Sequence, residues 1–127
     1  MKKCFLVLSL LLVIACAGCV HTPEAPLDAR VTLAPGLGRS IYVTSVRCVK
    51  GNSGFYNFQA NVSNNARSQA RLEYKVQWLD ADGLEIESAL STWQIMAIQP
   101  MEIKGLSAVA PSQEAVDFRF YVRPFRR

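Results

Sequence analysis

Apolar residues in this chain recur at every second position, a period that fits a pleated strand with one buried face and excludes an amphipathic helix. Tyr56, Phe58, Ala60 and Val62 alternate with Asn57, Gln59, Asn61 and Ser63. Leu72, Tyr74, Val76 and Trp78 alternate with Glu73, Lys75 and Gln77. Leu84 and Ile86 alternate with Glu85 and Glu87, and Phe118, Phe120 and Val122 alternate with Arg119 and Tyr121. Turn-forming residues punctuate these runs. Gly51-Asn52-Ser53-Gly54 separates Ile41–Lys50 from Phe55–Asn64, and Asp80-Ala81-Asp82-Gly83 separates Leu72–Leu79 from Leu84–Ser88. Pro100 follows Thr92–Ile98, and Pro111 follows Met101–Ala108. About seven short strands with turns at this spacing predict an all-β protein, an immunoglobulin-like antiparallel β-sandwich. The immunoglobulin cysteine pair is absent, so the expected likeness is one of architecture.

The first residues have a different logic. Lys2 and Lys3 precede an apolar run, Phe5 to Ala15, that is too short to span a bilayer and has the form of a secretory signal. Small residues then lead into cysteine, as in the lipobox at which bacterial lipoproteins are cleaved and acylated. Two registers fit: Cys16-Ala17-Gly18 before Cys19, and Val13-Ile14-Ala15 before Cys16. Cys19 is favoured because it gives a signal of ordinary length, with Cys16 as the alternative. Val20 follows Cys19 where an aspartate would favour retention in the inner membrane, so the expected location is the cell envelope, on the periplasmic face of the outer membrane. Each buried methylene of an acyl chain contributes about 0.8 kcal/mol, and two or more chains hold firmly.

Pro23, Pro26, Pro35, Gly36 and Gly38 interrupt regular structure before the alternation begins. The expected organisation is therefore a signal peptide over 1–18, a lipidated tether over 19–38 and a sandwich over 39–127. Within the tether, Val31-Thr32-Leu33 has the makings of a short edge strand. The chain has 127 residues, enough for one core. Its formal charge of +4 includes Lys2 and Lys3, so without the signal it falls to +2. That is too weak a bias for a nucleic-acid partner.

The stretch Tyr74-Lys75-Val76-Gln77-Trp78-Leu79-Asp80-Ala81-Asp82-Gly83-Leu84-Glu85 resembles the YcfL-type envelope lipoproteins, whose domain carries Tyr-x-x-x-Trp-x-Asp-x-x-Gly-Leu-Glu across a hairpin. The likeness extends to the cysteine with its Pro-Glu tether and to the closing Phe118–Val122 strand. It implies a small immunoglobulin-like sandwich on an outer-membrane anchor, and it brings no catalytic residues. The doubled cysteine at 16 and 19 departs from the single one usual in that family.

Few residues offer chemistry. The one histidine, His21, stands in the tether, where nothing packs around it to build a catalytic triad. His21, Cys48 and a lipidated cysteine do not make a zinc site, and no metal or cofactor other than the covalent lipid is expected. Asp80 and Asp82 form the one acidic cluster that invites a weak cation, but the third acid of a calcium loop is missing and glycine comes too early. A tight turn explains them more simply. Cys48 is expected to pack as a small hydrophobe. Arg119, Arg123, Arg126 and Arg127 cluster near the end, interleaved with Tyr121 and Phe125, and form a possible contact for an anionic or acidic partner.

The expectation is thus a non-enzymatic interaction module, held near a membrane by its lipid and engaging an envelope protein. The alternative is a ligand-binding lipoprotein that recognises a glycan, a lipid headgroup or a cation.

Overall fold

The computed structural model describes residues 28–89 and 91–126. Among them seven strands form two sheets: β1 (Val31–Leu33), β2 (Ile41–Lys50), β3 (Tyr56–Asn64), β4 (Ala70–Leu79), β5 (Gln94–Ile98), β6 (Ile103–Val109) and β7 (Asp117–Pro124). The four-stranded sheet has the order β1-β7-β4-β5 and the three-stranded sheet the order β2-β3-β6. The predicted all-β sandwich is therefore the observed architecture. Its connectivity is its own: an immunoglobulin constant-type domain puts its first, second, fifth and fourth strands in one sheet.

The alternating positions explain why the sheets face each other. Phe58, Ala60 and Val62 from β3 meet Leu72, Val76 and Trp78 from β4 and Phe118, Phe120 and Val122 from β7, all buried. Phe58 lies 5.0 Å from Phe118 and 5.1 Å from Phe120, centroid to centroid, and Trp78 stacks edge-on to Phe118 at 6.4 Å. Truncating such an aromatic to alanine costs about 3–5 kcal/mol. Cys48 is half-buried against this core, as expected of a small hydrophobe, and burial pushes its thiol upward.

Three features differ from the sequence reading. First, β1 pairs in parallel with β7, so that sheet is mixed and not wholly antiparallel. After β1 the chain crosses to the other sheet through a 3-10 turn at Leu37–Arg39 and does not return as a hairpin, so no turn dictates an antiparallel entry. Second, the short edge strand expected at Val31–Leu33 forms as β1, and it is part of the sandwich although it lies inside the stretch assigned to the tether. Val31 joins the core, and Arg30 lies with its guanidinium 4.3 Å from the Phe118 ring centroid while pairing with Asp28 and Asp117. Among the described residues the fold thus takes in Asp28–Leu33, ahead of position 39.

Third, Leu84–Ser88 is not a strand. It makes one bridge, Leu79 to Glu85, and Ile86 N–H donates to the Trp78 carbonyl at 2.9 Å. Leu84 points into solvent, leaving half-buried Ile86 as its apolar hold on the core, and one such contact does not sustain a ladder. β4 therefore pairs with β5 only over Ala70–Tyr74 on that side.

Candidate functional site: the outer face of the four-stranded sheet

Polar positions of β4 and β7 point away from the core and come into rows by register. Arg123 opposes Glu73, which opposes Ile95 on β5; Tyr121 opposes Lys75; Arg119 opposes Gln77. The side chains then tie neighbouring rows together. Arg123 Nε donates to Glu73 Oε2 at 2.6 Å, and its guanidinium lies 3.6 Å from the centroid of Trp93. Trp93 in turn packs against Tyr121 at 6.5 Å. The Tyr121 hydroxyl donates to Gln77 Oε1 at 3.2 Å, and Gln77 Nε2 donates to Glu85 Oε2 at 2.7 Å. Lys75 Nζ reaches the other oxygen of Glu85 at 3.0 Å. Hydrogen bonds from Lys75 and then Gln77 hold the Glu85 carboxyl below its usual range.

Beside this network the pairing of β4 is interrupted. Next to the bridge at Glu85 lies an open cleft of about 530 Å³. Lys75, Glu85, Glu87, Ser88 and Ser91 line it, with the two serine hydroxyl oxygens 3.3 Å apart. These described lining residues are polar or charged and carry both signs.

The structure brings together some of the expected site residues and separates others. Arg119 and Arg123 share the outer face of β7, whereas Arg126 is exposed beyond the strand. Asp80 closes the turn: its Oδ1 accepts from Asp82 N–H and Leu84 N–H, both at 2.9 Å, and Gly83 takes a φ of 79°. No group of three or more His, Cys, Asp or Glu placed to hold a metal occurs among the described residues. Cys16, Cys19, His21 and Arg127 lie outside the described residues.

Trp93 and Glu73 were not singled out from sequence. Their signal was present: Trp93, Ile95 and Ala97 occupy the positions opposite to Gln94, Met96 and Ile98, which puts a tryptophan on the side where polar residues are the rule.

A family model described as "Protein of unknown function (DUF1425)" matches residues 28–124. The chain belongs to the DUF1425 family. That span coincides with the folded body from Asp28 to the last residue of β7, which includes β1. The DUF1425 sandwich is similar to the crystal structure of Campylobacter jejuni cj0090, with 24% identity, a TM-score of 0.66, and coverage of 77% of this chain and 100% of that one. It is also similar to the structure of a DUF1425 member from Shewanella sp. pv-4, with 23% identity, a TM-score of 0.62, and coverage of 68% and 80%. At such identities the likeness is one of fold. No curated protein matches the chain.

Proposed function

We propose that this DUF1425 chain is a lipid-anchored, non-catalytic binding module of the cell envelope, held at the periplasmic face of the outer membrane. In this reading it presents the outer face of the β1-β7-β4-β5 sheet to an envelope protein. The observation that carries the docking face is its centre. Trp93, 38% exposed, sits between Arg123 and Tyr121, with Ile95, 57% exposed, across the row. Trp, Tyr and Arg dominate the binding energy of protein interfaces. Here the Glu73 ion pair and the Tyr121–Gln77–Glu85 bonds fix the side chains in advance, which lowers the entropic cost of docking.

The anchor rests on Lys2, Lys3, the Phe5–Ala15 run and Cys19, with Cys16 as the alternative acylation site, and the YcfL-type resemblance supports it. The fold adds a constraint on distance. Cys19 precedes Asp28 by nine residues, and however that segment runs it spans at most about 32 Å. The sandwich is thus confined to the layer next to the bilayer, which raises its effective concentration toward partners there.

The test is photocrosslinking in intact cells, with the reactive residue placed at position 95, 119 or 59. Gln59 lies on the outer face of the opposite sheet. A discrete adduct from 95 and 119 but not from 59 is expected. Adducts from 59 alone, or no adduct from any position, contradict the proposed face.

A further inference from the structure

We propose that β6 is a docking edge for a second copy of this chain, the two β6 strands pairing antiparallel about a two-fold axis through Leu106. The four sheet edges are not alike. A free edge strand invites another strand, and proteins guard it with shortness, charge, proline or a bulge. β1 has three residues and runs between Arg30 and Pro35. β2 carries a register shift between Val43 and Ser45 and exposes Arg47 and Lys50. On β5 the Ala97 carbonyl is taken by Lys104 Nζ at 2.9 Å. β6 has no such guard. Its seven residues pair with β3 in an unbroken register, include no proline, and expose only Ile103, Gly105, Ser107 and Val109. Among the described residues no strand lies on its far side.

The backbone decides which pairing can form. Asn64 N–H donates to the Glu102 carbonyl and Ala110 N–H to the Tyr56 carbonyl, so both ends of β6 bond to β3 through even positions. In an antiparallel ladder that role alternates, and Ile103, Gly105, Ser107 and Val109 therefore turn their N–H and C=O groups outward. The same four residues carry the exposed side chains and the free backbone groups. Hydrogen bonds to a second copy require odd positions to oppose odd ones. Centring the axis on Leu106 meets this and uses the whole strand, because Met101 in its turn and Pro111 stand equally far on either side.

The side chains match in that register. Ile103, 63% exposed, faces Val109 of the second copy, itself 51% exposed, and Gly105 faces Ser107. Lys104 meets the small Ala108 and not another lysine, so no like charges oppose each other. Four hydrogen-bonded pairs supply about eight backbone bonds. The contact is isologous, and with the other edges guarded it closes at two copies. An edge contact of this width belongs to the small, transient class.

This surface lies on the β2-β3-β6 sheet, away from the docking face of the proposed function, and it needs neither the anchor nor an envelope partner. Adducts from position 95 without pairing of β6 would overturn the dimer alone.

The experiment uses the full chain, in detergent and in membranes. Across a non-hydrogen-bonded antiparallel pair the Cα atoms stand about 4.5 Å apart, within disulfide reach. Leu106→Cys is therefore expected to give a disulfide-linked dimer under mild oxidation, with peptide mapping finding the bond between the two positions 106. Ala108→Cys, whose two copies would stand about 14 Å apart, and the parent, which keeps Cys48, are expected to give none. Leu106 packs against the core, so a second measurement uses exposed positions. In sedimentation the parent is expected to show a reversible monomer–dimer equilibrium. Ile103→Lys with Val109→Lys sets like charges opposite each other and is expected to weaken it about tenfold, whereas Ile103→Lys with Val109→Glu is expected to restore it to within about threefold. The proposal fails if the parent is monomeric at every concentration, or if folded Leu106→Cys forms no dimer or links to another protein instead. It fails equally if Ala108→Cys links as well, or if the two double variants associate alike.

Discussion

Asn64 holds more of the molecule together than its place in an asparagine pair suggests. It is wholly buried at the end of β3, and its Nδ2 donates to the carbonyls of Ser68, Ile98 and Gln99 while Oδ1 accepts from Ala66 N–H. One side chain thus joins the β3–β4 crossing to the end of β5. Removing it leaves buried carbonyls without donors, at about 1–3 kcal/mol per unsatisfied group. Asn64→Ala is expected to lower stability by about 2–4 kcal/mol in urea denaturation. Asn64→Asp, which puts acceptors against carbonyls, is expected to be worse at neutral pH and to recover part of the loss in acid. A second residue works against the fold. Met101, 71% exposed, takes a φ of 59° after Pro100, in a turn closed by Glu102 N–H to the Gln99 carbonyl at 3.2 Å. Proline followed by a positive φ is the pattern that favours glycine at the third position. Met101→Gly is therefore expected to raise stability by about 1 kcal/mol, read as a higher denaturation midpoint, and a lower midpoint would count against strain there. Neither residue was legible in the sequence, because a buried amide and a strained turn are both set by packing that comes from far along the chain.

Among the elements, β2, β3, β4 and β7 were legible because each has an apolar and a polar face, and only one register buries the first. Their alternation also put Arg119, Tyr121, Lys75 and Gln77 on the polar face, where the structure has them. The reading failed where local pattern and tertiary need diverge. Leu84 to Glu87 alternates faithfully, yet Leu84 has no core to enter and the segment stops at one bridge, next to the cleft. β1 was legible as a short edge strand at Val31–Leu33, but not its partner or direction: three residues amid prolines and glycines carry too little pattern to say that they pair in parallel with β7. What secures β1 is its charged flank. Two hydrogen bonds from the Arg30 side chain and one from its backbone N–H hold the Asp28 carboxyl down at about 2, against an ordinary value of 3.8. A depressed carboxyl stabilises the fold above its ordinary value and loses that contribution as pH falls through the folded one. The stability gap between the parent chain and Asp28→Asn is therefore expected to stay constant above about pH 5 and to close between about pH 4 and 2. Its size is a few tenths of a kcal/mol up to about 1, since the pair is partly exposed. A gap that widens in acid would show that Asp28 does not act through its charge.

At the scale of the whole molecule, the sandwich is joined in the proposed reading to an acylated Cys19 nine residues before Asp28. The face of β2-β3-β6 carries Asn57, Gln59 and Asn61 with Arg47, and the opposite face carries the ordered Trp93–Arg123–Glu73 cluster and the cleft. In that proposal the anchor adds no new chemistry, but it holds Asp28 within about 32 Å of the bilayer and so favours repeated weak contacts in that layer. Mass spectrometry of the mature N-terminus, on the protein recovered from membranes and on its Cys16→Ser and Cys19→Ser forms, bears most directly on this picture. A chain that starts at Cys19, carries fatty acyl groups there and leaves the membrane fraction when Cys19 is replaced is the expected result. An unmodified N-terminus on protein found in the aqueous fraction would contradict it.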